Sequence, residues 1–151
     1  MIPRLDPFAA APEAARAWLD FSHRISESGL EKPLLELVKI RASQLNGCAN
    51  CLNMHTFEAR QAGETEQRVA LVGAWQEAPC YSERERAALA WTDHVTLIAE
   101  KRAPDEVYAA LDAQFTKGEQ VNLTMAIVVI NGWNRLAVGF NLFNAGAGWK
   151  E

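Results

Sequence analysis

Apolar residues along most of the chain recur every three or four positions, which is the period of an amphipathic helix. The segments predicted in this way run from Pro12 to a stop at Gly29, from Glu31 or Lys32 to Leu45, from Cys48 or Ala49 to Ala62, and from Thr65 to about Trp75. Asn46-Gly47 suits the left-handed turn that often ends a helix. The first 11 residues are predicted to form an N-terminal arm.

Two more helices are signalled by residues that favour a helix start. The run Ser82-Glu83-Arg84-Glu85 has the spacing of a capping box, in which Ser82 and Glu85 each bond the other's backbone N–H. This predicts a fifth helix that continues through Ile98. Pro104 stands near the start of a short sixth helix that ends near Phe115.

The segment from Val121 to Phe140 is ambiguous, because Asn131-Gly132 between β-branched residues also suits a hairpin turn. The first half does not alternate polar and apolar residues, and an isolated hairpin is marginally stable in water. We therefore predict a long, mostly buried helix with a weak point at Gly132. The fold prediction is an all-α helical bundle of about six to seven helices, forming one domain over residues 1–151.

Composition narrows the class of protein. Hydrophobic residues make up 49% of the 151 residues and charged residues 23%, as in a globular domain. The net charge of −4, with no basic stripe, argues against a nucleic-acid partner. The longest apolar run, Met125 to Ile130, is far shorter than the roughly 20 residues of a membrane span. The first seven residues lack the apolar stretch of a secretory signal, so we expect a cytoplasmic protein with no membrane partner.

The most informative residues are two of the three cysteines, which form the pair Cys48-Ala49-Asn50-Cys51. In a reducing compartment such a pair is more often catalytic, redox-active or metal-binding than a structural disulfide. At 100° per residue, Cys48, Cys51 and His55 lie within an arc of about 60° on one helix face. The helix N-terminus favours a thiolate there, and an imidazole one turn from Cys51 can accept its proton.

Glu36 on the preceding helix completes the candidate site. It lies about 16 Å from the Gly47 turn along its helix, and His55 lies about 12 Å from that turn along the next one. If the two helices fold back antiparallel, the carboxylate reaches the imidazole and fixes its tautomer.

The cysteine motif is also compatible with roles outside redox chemistry. The two cysteines could be small buried apolar residues. A zinc site would need a fourth ligand besides Cys48, Cys51 and His55, which Cys80, His23, His94 or Glu36 would have to supply. Covalent haem attachment is excluded because Leu52, not His, follows the second cysteine. A thioredoxin-like fold is not expected, since no predicted strand flanks the motif.

The run from Glu36 through Cys48 and Cys51 to His55 closely resembles the core motif of the alkyl hydroperoxidase D (AhpD)-like branch of the carboxymuconolactone decarboxylase family. The segments 82–91 and 131–136 also look like this branch. The resemblance implies an all-helical homo-oligomer, a trimer or hexamer, with thiol peroxidase activity. It implies that Cys51 attacks the peroxide, Cys48 resolves, His55 deprotonates Cys51, and Glu36 completes the proton relay. The decarboxylase branch lacks the cysteine pair, so decarboxylation is not implied.

We therefore expect a thiol-dependent hydroperoxide reductase that needs no metal or organic cofactor. Its partners would be a hydroperoxide and an external dithiol, such as a thioredoxin-like or lipoyl-type protein. Two arguments disagree about which thiol is more acidic: the helix dipole favours Cys48, and the adjacent His55 favours Cys51. We expect Cys51, because a base in contact acts at shorter range than the partial charge of the helix end. The alternatives are a thiol–disulfide oxidoreductase and a non-enzymatic oligomeric redox or metal-binding protein on the same scaffold.

Overall fold

The protein is entirely helical in the part of the chain that the structure, a computed structural model, describes, which is residues 2–144. That range holds nine α-helices and one 3₁₀-helix, with no strand. In chain order they are α1 (Pro7–Ala10), α2 (Pro12–Ser26), α3 (Lys32–Leu45), α4 (Ala49–Gln61), α5 (Glu66–Leu71), the 3₁₀-helix Val72–Ala74, α6 (Glu83–Thr96), α7 (Ile98–Lys101), α8 (Asp105–Gln114) and α9 (Lys117–Phe140). The predicted all-α class is confirmed.

Seven of these helices have six residues or more, and they are the seven that the apolar period predicts. The two four-residue helices, α1 and α7, were not predicted. α1 lies inside the expected N-terminal arm, where the Asp6 side chain accepts a hydrogen bond from the N–H of Phe8 and starts the turn. The single domain over residues 1–151 stays a prediction, because Met1 and residues 145–151 lie outside the described residues.

Local cap signals place the helix boundaries. Ser82 and Glu85 form the predicted capping box at the start of α6. A second capping box, between Thr116 and Glu119, opens α9. Gly47 has a φ of +63°, the left-handed conformation that lets the chain turn sharply from α3 into α4.

The prediction of a weak point at Gly132 is wrong. α9 runs unbroken from Lys117 to Phe140, and Gly132 lies inside it against the ring of Trp18. A methyl group at position 132 would overlap that ring. The glycine therefore allows α2 to pack closely against α9. Burial of one face of α9 offsets the low helix propensity of glycine.

α3 and α9 form the centre of the bundle. α3 packs against α4, α6 and α9, and α9 also contacts α2, α4, α6 and α8. Among the described residues, α9 is the one helix long and apolar enough to cross a membrane by length and composition. It nevertheless buries Gln120, Asn131 and Asn134 against its neighbours, as the core helix of a bundle does. The absence of a membrane partner stays a prediction.

Candidate active site

The cysteine pair, Cys48 and Cys51, lies at the start of α4. Cys48 is the N-cap residue and Cys51 lies in the first turn. The two Sγ atoms are 2.6 Å apart, and the backbone N–H of Cys51 points to the Cys48 Sγ at 3.4 Å. Once an oxidant has oxidised one of the two sulfurs, the other is therefore close enough to form a disulfide with it.

Both thiols are buried, with exposures of 1% for Cys48 and 2% for Cys51. They pack in one apolar cluster with Ala42 of α3 and with Ile130 and Ala137 of α9. Leu142, from the segment that follows α9, also packs against this cluster. A reactant therefore meets the sulfurs only after part of this cover moves.

His55 lies two turns into α4 and faces α3. Its Nδ1 is 2.8 Å from Glu36 Oε2 and 3.1 Å from Glu58 Oε2. The second oxygen of Glu36 accepts a hydrogen bond of 2.7 Å from Lys39 Nζ. The predicted proximity of Glu36 and His55 is confirmed, because the short turn at Gly47 folds α4 back along α3.

The Glu36–His55 contact favours the charged form of both groups. Burial opposes ionisation of Glu36, but the hydrogen bonds and positive charges of His55 and Lys39 outweigh it and lower the pKa of the carboxyl. Burial likewise opposes protonation of His55, yet the bonds to Glu36 and Glu58 raise the pKa of the imidazole. The structure thus favours an imidazolium in contact with a carboxylate.

The order of acidity expected for the two thiols is reversed. The pKa of Cys48 is lowered to about 6, first by the hydrogen bond from the Cys51 thiol, which outweighs the effect of burial. The backbone N–H of Cys51 lowers it further. The charge of His55 contributes in the same direction. The pKa of Cys51 is raised, because its proton is held in that bond to Cys48 and because it is buried.

The expected hydrogen bond between His55 and the Cys51 sulfur is not formed in the described part of the chain. Its Nδ1 is bound to the two glutamates, and within residues 2–144 no hydrogen bond joins its ring to either sulfur. His55 therefore acts on the thiols through its charge. The N–H of Cys51, which points to Cys48 at the N-cap position, adds to the hydrogen bond from the Cys51 thiol in favouring a negative charge on Cys48.

Two residues near the site were not predicted from the sequence. Glu58 is three positions after His55, a spacing that places both on one helix face and could have been noticed. Asn134 of α9 lies beside the pair and lowers the pKa of both thiols. It is separated from Cys51 by most of the chain, so no local pattern indicates it.

A metal site built on the cysteines is not what the geometry favours. Within the described part of the chain, the one group of potential ligands close enough to share an ion consists of Glu36, His55 and Glu58, without either cysteine. His94 instead lies 3.0 Å from the carbonyl oxygen of Arg102. Cys80 packs at the edge of a different apolar cluster.

Two surface cavities lie away from the thiols. One, of about 360 Å³, opens between α6, α8 and α9, and the other, of about 300 Å³, between α2, α6 and α9. Neither is lined by a cysteine.

The fold and the site define an all-helical protein with a buried dithiol at a helix start, next to an ionised imidazole–carboxylate contact. The chain belongs to the carboxymuconolactone decarboxylase family, whose model matches residues 12–94. Within that family it belongs to the AhpD-like branch.

Comparison with individual proteins agrees with this placement. The uncharacterized protein YdfG of Bacillus subtilis (strain 168) is 41% identical over 138 residues, which is 91% of this chain and 94% of YdfG. A crystal structure of ATU0492 from Agrobacterium tumefaciens, provisionally named an antioxidant defence protein AhpD, is 44% identical with a TM-score of 0.92. That match covers 95% of this chain and 99% of ATU0492.

A more distant structure shares the fold alone. The debrominase Bmp8 is 18% identical, with a TM-score of 0.83, over 93% of this chain and 76% of Bmp8. The scaffold therefore accommodates more than one named activity, and the side chains at the site must decide the reaction.

Proposed function

We propose that the protein is a thiol-dependent hydroperoxide reductase in antioxidant defence. The observation that carries the proposal is the contact of 2.6 Å between the Cys48 and Cys51 sulfurs, on the same helix as a buried His55 whose pKa is raised by its bonds to Glu36 and Glu58. A thiolate is the form of cysteine that attacks a peroxide, and a second thiol in contact captures the product before further oxidation. The resemblance to the AhpD-like ATU0492 supports the same reaction class.

The reaction would begin at Cys48, the thiol whose pKa is lowered to about 6. Its thiolate attacks the outer peroxide oxygen, the O–O bond breaks, and the leaving alkoxide takes one proton to become an alcohol. Cys48 is then a sulfenic acid. The Cys51 thiol displaces its hydroxyl group, so that a disulfide and one water form. Two thiols and one hydroperoxide give one disulfide, one alcohol and one water.

His55 and Glu36 would support the first step. The imidazolium stabilises the thiolate by its charge and is a source of the proton for the leaving alkoxide. Glu36, 2.8 Å from Nδ1, keeps the ring protonated and fixes its orientation. We propose attack by Cys48 instead of the expected attack by Cys51, because the lowered pKa of Cys48 favours its thiolate without a separate base.

An external dithiol would restore the pair by thiol–disulfide exchange, which returns two thiols and oxidises the partner. A homo-oligomer, a trimer or hexamer in the cytoplasm, belongs to the same proposal. It is supported by an apolar stripe on the outer face of α9, where Val121, Met125 and Val128 are 56%, 39% and 45% exposed. Three side chains of this kind at helical spacing are typical of a surface that another subunit covers.

The test compares Cys48→Ser and Cys51→Ser in single turnovers with one equivalent of cumene hydroperoxide. Wild type should consume it and form the 48–51 disulfide, seen by mass mapping. Cys51→Ser should consume one equivalent once and retain a sulfenic acid at Cys48, trapped with dimedone. Cys48→Ser should consume almost none. Equal consumption by wild type and the two serine variants would end the assignment.

Thiol–disulfide exchange is the second candidate. The observation in its favour is the acidic Cys48 at a helix N-cap, an arrangement that also suits attack on a disulfide sulfur. Rates with the hydroperoxide and with insulin disulfides, measured on the same preparation, separate the two. Faster reduction of insulin would favour exchange.

A further inference from the structure

The last turn of α9 is completed by other parts of the chain, because a helix leaves its last four carbonyl groups without a partner of its own. The segment that follows α9 bonds the first two of these four carbonyls. Leu142 N–H donates to Ala137 O at 2.9 Å. Asn141 N–H donates to Val138 O at 3.4 Å. The final two carbonyls of the helix are bonded from a distant part of the sequence.

The residue that bonds them is Arg4 of the N-terminal arm. The backbone N–H of Arg4 donates to Phe140 O at 2.9 Å, and its side-chain Nη1 donates to Gly139 O, also at 2.9 Å. The guanidinium charge suits this position as well, because the C-terminal end of a helix carries partial negative charge. Arg4 therefore satisfies two groups at the end of α9 that the helix itself cannot satisfy.

A second contact attaches the N-terminal arm to α9. The Phe8 ring of α1 stacks on the Trp133 ring, with ring centroids 6.4 Å apart and an interplanar angle of 19°. Trp133 lies almost two turns before the carbonyls that Arg4 bonds. The arm therefore runs back along α9 and is attached to it at two points.

The cover over the cysteine pair, formed by residues 141–144, begins at the turn that Arg4 bonds. Within this cover, Leu142 packs against the apolar cluster that contains both sulfurs. The far end of the cover is bonded to α4, where Asn144 N–H donates to Asn50 Oδ1 at 2.7 Å. Asn53 Nδ2 also donates to Asn144 O, at 3.3 Å. The cover is thus held at one end by α4 and at the other by the last turn of α9.

We propose that Arg4 controls access to the cysteine pair, because its two bonds to the last turn of α9 keep residues 141–144 closed over the sulfurs. When the arm leaves α9, two carbonyls lose their partners, the last turn loosens, and Leu142 leaves the apolar cluster more often. The arm is then a regulatory element whose release makes the thiols reachable. The inference goes beyond the proposed function, since it holds for whichever reactant reaches the pair.

The test measures the rate at which iodoacetamide alkylates Cys48, in a Cys80→Ser background at one fixed pH. Arg4→Ala removes the bond to Gly139 O and should speed alkylation by about twofold to tenfold, the range expected from the loss of one hydrogen bond. Arg4→Lys keeps a charged donor and should restore most of the wild-type rate. The pH midpoint of alkylation should stay the same, since the variant changes access to the thiol and not its acidity.

A second variant in the arm leaves Arg4 in place. Phe8→Ala removes the stack on Trp133 and so weakens the other attachment of the arm to α9. It should also speed the alkylation of Cys48, so the test stands even if one of the two arm variants does not fold.

The matched control is Arg86→Ala. Arg86 Nη1 likewise donates to backbone carbonyls, those of Trp75 and Ala78 at 3.1 and 3.0 Å, but these residues pack in a different apolar cluster. This variant should lower the melting temperature and leave the alkylation rate unchanged. An unchanged rate in Arg4→Ala, or an equal acceleration in Arg86→Ala, would overturn the proposal. Because alkylation uses no peroxide, a protein that responds as expected but consumes no hydroperoxide refutes the proposed function alone.

Discussion

The buried contact between Glu36 and His55 gives a quantitative prediction. Glu36→Gln keeps the shape of the side chain and an oxygen that can face Nδ1, but removes the charge that pairs with the imidazolium. The side chains of Glu36 and His55 are 11% and 7% exposed, so water cannot take over the role of the carboxylate. Breaking a buried pair on one side costs about 3–5 kcal/mol. At about 3 kcal/mol, the melting temperature should fall by roughly 6–12 °C.

The loss should depend on pH in a defined direction. The raised pKa of His55 contributes stability that is complete below its ordinary value of 6.5 and is lost as the pH rises through the folded pKa. The lowered pKa of Glu36 contributes stability that is complete above its ordinary value of 4.5 and is lost as the pH falls through the folded pKa. The difference between wild type and Glu36→Gln should therefore be largest between pH 4.5 and 6.5.

The assay is urea unfolding at pH 5.5 and pH 8.5, at one fixed protein concentration so that any subunit association contributes equally. Glu58→Gln is the matched control. Glu58 lies 3.1 Å from the same Nδ1, but its side chain is 48% exposed. An exposed pair is worth less than about 1 kcal/mol. If Glu36→Gln cost no more than Glu58→Gln, or the same at both pH values, the reasoning would be refuted.

Two further predictions concern α9 and the segment that follows it. Gly132→Ala should lower the free energy of unfolding by about 1–3 kcal/mol, because the added methyl group overlaps the Trp18 ring. Gly139→Ala has open space around it and should be neutral or stabilising by about 0.5–1 kcal/mol. Chemical unfolding compares the two variants, and equal effects would contradict the packing argument. Leu142→Ala removes a side chain that packs against the cysteine pair. It should therefore speed the alkylation of Cys48 by iodoacetamide several-fold at a fixed pH. An unchanged alkylation rate would mean that Leu142 does not limit access to Cys48.

The helices and the Glu36–His55 contact were predictable because both depend on local information. The apolar period, the Ser82 cap and the glycine at position 47 act within a few residues of where they stand. Once the turn at Gly47 is short, two antiparallel helices bring positions at similar heights together. The approach of Glu36 to His55 follows from chain geometry alone.

The acidity of the thiols and the role of Gly132 were not predictable in this way. Helical spacing places His55 near Cys51, but the direction of its ring is decided by the glutamates that capture Nδ1. Gly132 resembles a helix breaker until the Trp18 ring is placed against it from another helix. In both cases a tertiary contact overrides the local signal. A local sequence pattern does not show which side chains from other helices will contact a residue.

The burial of the cysteine pair links its reactivity to the cover formed by residues 141–144, directly after α9. A thiolate inside an apolar cluster is costly, and the site offsets that cost with the Cys51 thiol and the His55 charge. The segment after α9 closes this environment. Leu142 N–H bonds the carbonyl of Ala137, and Asn144 N–H bonds Asn50 Oδ1 at 2.7 Å on α4. In the proposed reaction, opening of this segment would admit the peroxide and also water, and the water would weaken the interactions that favour the thiolate. For the proposed reaction we therefore expect the closed site to favour the thiolate and a brief opening to admit the reactant. The rate should then be the product of the open fraction and the reactivity of the hydrated thiolate.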